Sequence, residues 1–562
     1  MAGRDYVALP LSAAQREIWF AEQQLNRANR VYKFGEYVEI YGPVDPVLFE
    51  TALRRVVGEV DALHVRFIED NDGPRQILQP LSDWLMPVVD VSQEPDPRTA
   101  AQEWMAADVA RPMDLTCDAP FSYALIELRP DRFLWYQSYH HIVIDRLGFS
   151  LVAQRLAAMY TALAQGLAID QNMFGSLREL LDSDAVYRAS KQFTIDREYW
   201  RKRFADRPEP VSITGRSSRK PASFIHQTVV SSLPSMGDKL QAAAHQVGVR
   251  WSRIVIAATV VYAHRVTGAR DVVVGLPIAA RQDPVLKCIP GMVSNLLSLR
   301  LSVRPDMILS ELIGQVAGEV SELLAHQRYR GEDLRRDLGL ASNTGTSFAP
   351  LVNIMSFDYD LRFSGYRTAV HNVSIPLIGD LSFFVWDRRD GSGLQFALRA
   401  HPDVCGADEL TAHHQRFLNL LDALTLADPD RPISRFDLLS AEERHRLLVD
   451  YNDTARPTVQ ASLPVLFEAQ VRAAPEAVAV VFENTTLNYS QLNKCANRLA
   501  HALIDRGVGP EHIVALALPR SPELVAAIMA VLKAVRHICR WTRTTRPRGS
   551  TSCSTTLNQC CY

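Results

Sequence analysis

Ser138-Tyr139-His140-His141-Ile142-Val143-Ile144-Asp145-Arg146 closes an apolar, aromatic-rich run, and the reading of the whole chain turns on it. The residues ahead of it, Asp131 to Tyr139, include Phe133, Leu134, Trp135 and Tyr136, bulky β-favouring side chains that predict a buried strand. After Asp145, Val152, Leu156, Met159 and Leu163 recur at helical spacing, and Gly166 supplies a stop. The histidines are therefore expected at a strand-to-helix junction, where a side chain can face a cleft from a rigid backbone. Imidazole suits proton transfer near neutral pH. His141 facing a cavity, with Asp145 holding the local backbone, would form the core of an acyl-transfer site. Histidine pairs also arise by chance, so this spacing alone does not decide the matter.

At 562 residues the chain exceeds one ordinary core, and roughly three or four folding units are expected. An apolar fraction of 47% with 22% charged residues is that of a globular protein. A net charge of -2 gives no general pull toward nucleic acid or a membrane surface. Met1 to Tyr6 shows no apolar region behind a basic start, and no uninterrupted apolar stretch is long enough to span a bilayer. A cytoplasmic location is the expectation. Cys117, Cys288, Cys405 and Cys495 are scattered singly, as reduced thiols are. Cys539, Cys553, Cys560 and Cys561 cluster near the end without a paired C-x-x-C spacing, so no metal site is expected there.

A second strand is expected at Asp271–Gly275, followed by Leu276-Pro277-Ile278-Ala279-Ala280-Arg281; strands and helices mixed in both regions point to a two-lobed α/β protein. Between Leu438 and Pro457 the character changes: Ser440-Ala441-Glu442-Glu443 reads as a helix start and Asn452 to Pro457 as a linker. Beyond Leu463 the pattern predicts a helix carrying Glu468, Gln470 and Arg472, then a strand at Val478–Val481. A helix at Leu492–Leu503, a strand at Val514–Leu518 and a helix at Pro522–Lys533 follow.

Five blocks in order resemble the condensation domains of non-ribosomal peptide synthetases over residues 6–440. Leu9-Pro10-Leu11-Ser12-Ala13-Ala14-Gln15-Arg16-Glu17-Ile18-Trp19 is similar to the family's opening signature, and His140 to Asp145 to its H-H-x-x-x-D-G core. Pro290-Gly291-Met292-Val293-Ser294-Asn295, His326-Gln327-Arg328-Tyr329 and Val352-Asn353-Ile354-Met355-Ser356-Phe357-Asp358 resemble the later ones. The resemblance implies an α/β fold of two chloramphenicol-acetyltransferase-like lobes (1–180 and 181–437) in a V-shaped pseudo-dimer with a tunnel between them. Donor and acceptor carrier proteins would present acyl and aminoacyl groups on phosphopantetheine arms, with other synthetase subunits as partners and no cofactor bound by the chain itself. The acceptor amine attacks the donor thioester, and His141 serves as base or positioner. Asp145 is implied to be structural, paired with Arg281; His140 is likewise structural. Asn353 is implied either to bind a carbonyl or oxyanion near the tunnel or to hydrogen-bond within the core.

Two departures stand out. The family's glycine after the acid is Arg146, which is expected either to point outward or to impair activity. His64 stands where the family usually has arginine, in a segment expected to be structural. Because the sequence opens directly on this domain, the donor is expected on a separate protein or as an acyl group of the lipo-initiating kind.

After a linker at 438–462, residues 463–534 resemble the incomplete N-terminal part of an adenylation domain, with Leu487-Asn488-Tyr489-Ser490-Gln491-Leu492 and Leu532-Lys533-Ala534 as the matching segments. The family would continue with something like G-A-A-Y-L-P-V-D-P-D-Y-P. Residues 535–562 instead carry arginines and no Asp or Glu. Back-translating Arg536 to Arg546 with GC-rich codons and shifting the frame by two bases yields Ala-Tyr-Leu-Pro-Val-Asp-Pro-Asp-Tyr-Pro. The tail is therefore expected to be out-of-frame translation. The fragment lacks the phosphate loop, specificity pocket and catalytic lysine that the resemblance implies, so adenylation is not expected, and its apolar surface is expected to be exposed. The competing readings are an inactive remnant or docking module and a stand-alone acyltransferase.

Overall fold

The computed structural model describes residues 8–24, 32–71, 73–79, 84–216, 226–230, 234–340, 350–356, 360–374, 381–388, 393–457, 459–534 and 537–540. Met1 to Tyr6, Phe357-Asp358, residues 535–536 and the tail from 541 lie outside them. The chain forms two compact units, Met1–Arg446 and Leu447–Tyr562. Their boundary falls inside the stretch read as a linker, which carries the short helix Ala441–Leu448.

Among the described residues the first unit holds fourteen strands: β1 Ala8–Pro10, β2 Lys33–Ile40, β3 Val65–Asp70, β4 Gly73–Leu78, β5 Val88–Asp90, β6 Phe121–Arg129, β7 Arg132–His140, β8 His226–Val230, β9 Asp271–Ile278, β10 Asn295–Ser302, β11 Leu351–Ser356, β12 Thr368–Ser374, β13 Leu381–Asp387 and β14 Leu394–Ala400. One sheet has the order β12-β2-β7-β6-β5, a second the order β10-β9-β11-β13-β14-β8, and a small third the order β1-β4-β3.

β7 is the predicted strand that ends at the histidines. It is buried on both faces from Phe133 to His140, which explains its lack of apolar–polar alternation. Phe133, Trp135 and Tyr139 join one core with Phe49, Phe149 and Phe363, whereas Leu134 and Tyr136 join another with Ala101 and Met105. The period of two thus survives as a choice between two apolar layers. The second sheet packs against the helices Trp251–Thr267, Leu309–Ala325 and Ala407–Thr425.

Chain position does not cleanly divide the two lobes. The helix Leu177–Arg188 runs across 180/181. β12, which lies in sequence between two strands of the second sheet, instead pairs antiparallel with β2 of the first, Thr368 opposite Ile40.

The helix Arg146–Ala164 follows β7 as expected. It stops where predicted: Gly166 has φ 65°, its N–H donates to Leu163, and the Leu167 N–H reaches Ala162, a Schellman closure. By length and mean hydropathy alone this helix is apolar enough to cross a membrane, although Gln154 and Arg155 interrupt its apolar run. Its apolar residues Phe149, Val152, Leu156 and Met159 are core residues of the first unit, which accounts for that character.

In the second unit the predicted elements appear as the helix Leu463–Ala473, the antiparallel pair Val478–Phe482 and Thr485–Asn488, the helix Tyr489–Ile504, and the strand Ile513–Leu516. The helix Pro522–Ala534 then connects Ile513–Leu516 to a parallel strand, His537–Arg540. A small core gathers Leu503, Val514, Leu516, Leu524 and Val531. The helix Leu463–Ala473 buries none of its residues, with Leu463 63% and Val465 51% exposed, in line with the expected exposed apolar surface.

The blocks recognised in the sequence prove to be zipped together. The Asn295 amide donates to the carbonyls of Gln327 (2.9 Å) and Tyr329 (2.8 Å), and the Arg330 guanidinium donates to Ser294 O (2.8 Å) and pairs with Glu17. The chain approaches so closely here that a Cβ on Gly331 would lie 2.3 Å from the Leu296 carbonyl oxygen. Gly331→Ala is therefore expected to destabilise the first unit by about 1–3 kcal/mol, seen as a lowered Tm by circular dichroism, because backbone rather than a flexible side chain must yield. An unchanged Tm would contradict this packing.

Candidate active site

β7 delivers His140 and His141 to the start of the helix Arg146–Ala164, and the two imidazoles have different surroundings. His140 is 3% exposed; its Nε2 donates to Glu22 Oε1 (2.7 Å), while Nδ1 accepts from the Ile142 N–H (3.2 Å). Both of its ring nitrogens are thus engaged.

His141 is partly buried and makes one ring hydrogen bond among the described residues, Nδ1 to the Ile144 carbonyl at 3.1 Å. A carbonyl only accepts, so Nδ1 carries the proton and Nε2 presents a lone pair. The ring leans on Phe34, with centroids 4.7 Å apart. Burial holds the imidazole below its ordinary pKa, and the Asp145 carboxylate opposes this only in part. The neutral, base-competent form is thus the one the site stabilises.

Asp145 is fully committed elsewhere. It caps the following helix, accepting from the Gly148 N–H (3.1 Å), and its Oδ2 accepts from the N–H groups of Val293 (3.1 Å) and Ser294 (3.0 Å). Arg281 Nη2 reaches both carboxylate oxygens at 2.9 Å, each side chain 2% exposed. Arg281 also donates to the carbonyls of Leu286, Ile289 (2.8 Å) and Gly291 (3.0 Å). The pair suggested by the resemblance is present, and it binds the histidine loop to the Pro290–Asn295 segment.

Arg146 departs from the first alternative offered by the sequence, an outward-pointing side chain. It occupies the first helical position, outside the positive-φ residues, so the loss of glycine imposes no backbone strain. Its side chain points inward: Nη1 donates to Glu36 Oε2 (2.7 Å), Nη2 donates to Asn372 Oδ1, and the guanidinium lies 5.3 Å from the Phe149 ring centroid. Glu36, 1% exposed, also accepts from Gln137 Nε2 at 2.8 Å. Sequence reasoning missed Glu36; an acid inside the strand Lys33–Ile40 was the available signal, though its partner lies over a hundred residues away. The close-packed glycine is Gly148, where a Cβ would lie 2.4 Å from Ile144 Cγ1.

Asn353 stands on β11 on the same face as Met355 and makes no side-chain hydrogen bond among the described residues. His64 Nε2–H donates to the Val57 carbonyl (2.8 Å).

Because the Asp145–Arg281 pair is wholly buried, removing one partner strands a charge. Asp145→Asn and Arg281→Met are each expected to cost about 3–5 kcal/mol in urea unfolding, and Asp145→Leu/Arg281→Met less than the sum of the single costs. Additive costs would mean the two groups do not act as a pair.

The Condensation domain family matches residues 7–448, and the AMP-binding enzyme family matches residues 467–538. The dimodular nonribosomal peptide synthase of Bacillus subtilis is 46% identical over 523 residues, covering 93% of this chain and 22% of that protein. The isonitrile lipopeptide synthase of Streptomyces coeruleorubidus is 40% identical, covering 94% of this chain and 36% of that protein. The chain therefore spans well under half the length of these relatives. Among solved structures, the starter condensation domain of rhizomide synthetase, an arginine-to-alanine mutant in complex with C8-CoA, superposes with a TM-score of 0.72 at 40% identity, covering 77% of this chain and 98% of that one. The first condensation domain of the calcium-dependent antibiotic synthetase, with a substrate analogue, gives 0.72 at 35% identity over 78% of this chain and all of that one. With its buried Asp145–Arg281 anchor and its histidine held neutral at the lobe junction, the chain belongs to the condensation-domain family of non-ribosomal peptide synthetases, followed by a partial AMP-binding segment.

Proposed function

We propose that this chain joins a carrier-bound donor acyl thioester to a carrier-bound aminoacyl acceptor, forming an amide, with His141 as the residue that handles the amine proton. The observation that carries this reading is the Nδ1 hydrogen bond to Ile144, which fixes the tautomer and leaves Nε2 as an acceptor. In the reaction the acceptor nitrogen forms a C–N bond to the thioester carbon and the C–S bond breaks. The amine proton passes to Nε2 and then to the departing thiolate, so charge and atoms balance. An amine is already a good nucleophile toward a thioester, so orienting the two groups supplies much of the acceleration. Asp145 belongs to the scaffold, because its oxygens are filled by Arg281 and backbone N–H groups. Carrier proteins and other synthetase subunits are the proposed partners, in the cytoplasm, and no cofactor is needed for this step. Asn353 is proposed to meet a substrate carbonyl.

The lobes are assigned chiefly to 1–180 and 181–437, with the helix Leu177–Arg188 spanning the division and β12 joining the first sheet, followed by a linker at 438–462 and the adenylation-like segment at 463–534. The segment from 535 is assigned to out-of-frame translation; resequencing the gene across Ala534 and finding no lost or gained base relative to its relatives would remove that assignment.

With donor and acceptor carriers supplied, His141→Ala is expected to lower kcat about 10²–10⁴-fold at unchanged Tm. Wild-type turnover despite a well-folded variant would leave proton handling to solvent. The pH profile gives a second check. Burial lowers the imidazole pKa, so the neutral base persists below the ordinary value of 6.5, and the acid limb of kcat/KM is expected on the acidic side of that value. An acid limb above it would contradict a desolvated, neutral His141.

A further inference from the structure

A small recess of about 10 Å³, room for one water-sized group, opens where the two sheets of the first unit meet, walled by Glu36, Arg146, Val370, Met355, Trp386, Asp387 and Arg388. Arg146 lies five residues beyond His141, and Met355 shares its strand face with Asn353, so the recess adjoins the histidine loop. Its lining is not that of an aliphatic pocket. The Arg146 guanidinium is held by Glu36 and Asn372 through one N–H on each terminal nitrogen, and a guanidinium carries five such donors. It is fixed in place with donors to spare, and its side chain is 18% exposed, enough to be met from the recess.

The second observation is independent of Arg146. Trp386 is 4% exposed, and its indole Nε1–H has no hydrogen-bond partner among the described residues. Buried donors are paired in the great majority of cases, and an indole N–H can only donate. Arg399, buried on the neighbouring strand, has its pKa pushed down to about 9, by burial first and then by the charge of Arg146. The unspent donors of Arg146 and Trp386, set beside the carboxylates of Glu36 and Asp387, ask for an oxygen on the occupant.

We propose that this recess receives a side group of one of the two condensed substrates, an oxygen-bearing group such as a carbonyl, carboxylate or hydroxyl, with Arg146 and Trp386 as its donors. This rests on the condensation reading above. The oxygen can reside on the donor acyl group or on the acceptor amino acid, and the glycine-to-arginine departure in the histidine motif becomes a specificity device.

The test uses the full chain with carrier-bound isosteric pairs: 4-methylpentanoyl against 4-oxopentanoyl donors, and leucyl against asparaginyl acceptors. In one of the two series the oxygenated member is expected to have a kcat/KM at least about tenfold higher. That preference should fall toward unity in Trp386→Phe and in Arg146→Met, while turnover of the alkyl member is retained. Should Arg146→Met lose its fold by leaving Glu36 unpaired, Arg146→Met/Glu36→Gln takes its place, with Tm as the control. The series that responds identifies the source of the oxygen. Equal kcat/KM within both pairs while alkyl product forms, or a preference unaltered by both substitutions, overturns the recess assignment alone. Absence of product from every pair by a folded wild-type chain overturns the condensation reading beneath it.

Discussion

The buried ion pair between Asp145 and Arg281 is the constraint on which the rest of the site depends. Two desolvated charges are stable together only when further hydrogen bonds satisfy them, and here backbone N–H groups fill the carboxylate and three carbonyls receive the terminal guanidinium nitrogens, with Arg281 Nε left unpartnered among the described residues. The pair therefore cannot form unless the loop after β7, the helix it starts and the Pro290–Asn295 segment have all reached their places. A fold that must satisfy this network before its charges can be buried has little freedom in where His141 ends up.

That network also decides the electrostatics of the histidine. A carboxylate close in sequence suggests a relay in which the acid polarises the base, but the oxygens of Asp145 are already filled, and His141 turns its Nδ1 to the Ile144 carbonyl instead. A neutral acceptor orients the ring without drawing a proton onto it, and burial pushes in the same direction. The base is kept neutral by position rather than charged by a neighbour, which suits a reaction whose nucleophile needs its proton taken away late.

Local pattern made much of this legible. Strand β7, the stop at Gly166, the helix after Asp145 and the elements of the second unit each follow from side-chain type over a short window, where propensity, caps and packing agree. The partnership of Asp145 with Arg281 came from resemblance, since nothing local ties two residues 136 apart. What stayed hidden was tertiary in origin. The pairing of β12 with β2 carries a strand from one lobe's stretch of sequence into the other's sheet, and no periodicity in Thr368–Ser374 announces its partner. The mean hydropathy of the helix after the histidines, high for a helix interrupted by Gln154 and Arg155, reflects its place as a core element. Glu36 was invisible for the same reason: an acid in a buried strand signals a partner without naming it.

Arg146 shows how a motif position is judged by the space around it rather than by the residue it usually holds. A glycine is required where the backbone takes positive φ or where another atom crowds the Cβ. Position 146 meets the first condition no longer, being the first residue of a helix capped by Asp145, while the crowding falls on Gly148, two residues on, against Ile144. The side chain can therefore be long without strain. What it then demands is a counter-charge, since a guanidinium turned inward is costly unless paired, and Glu36 supplies it from a strand already held by Gln137. Arginine and glutamate act together as one paired unit, leaving the histidine loop and its anchor untouched and shaping only the wall of the cleft beside them.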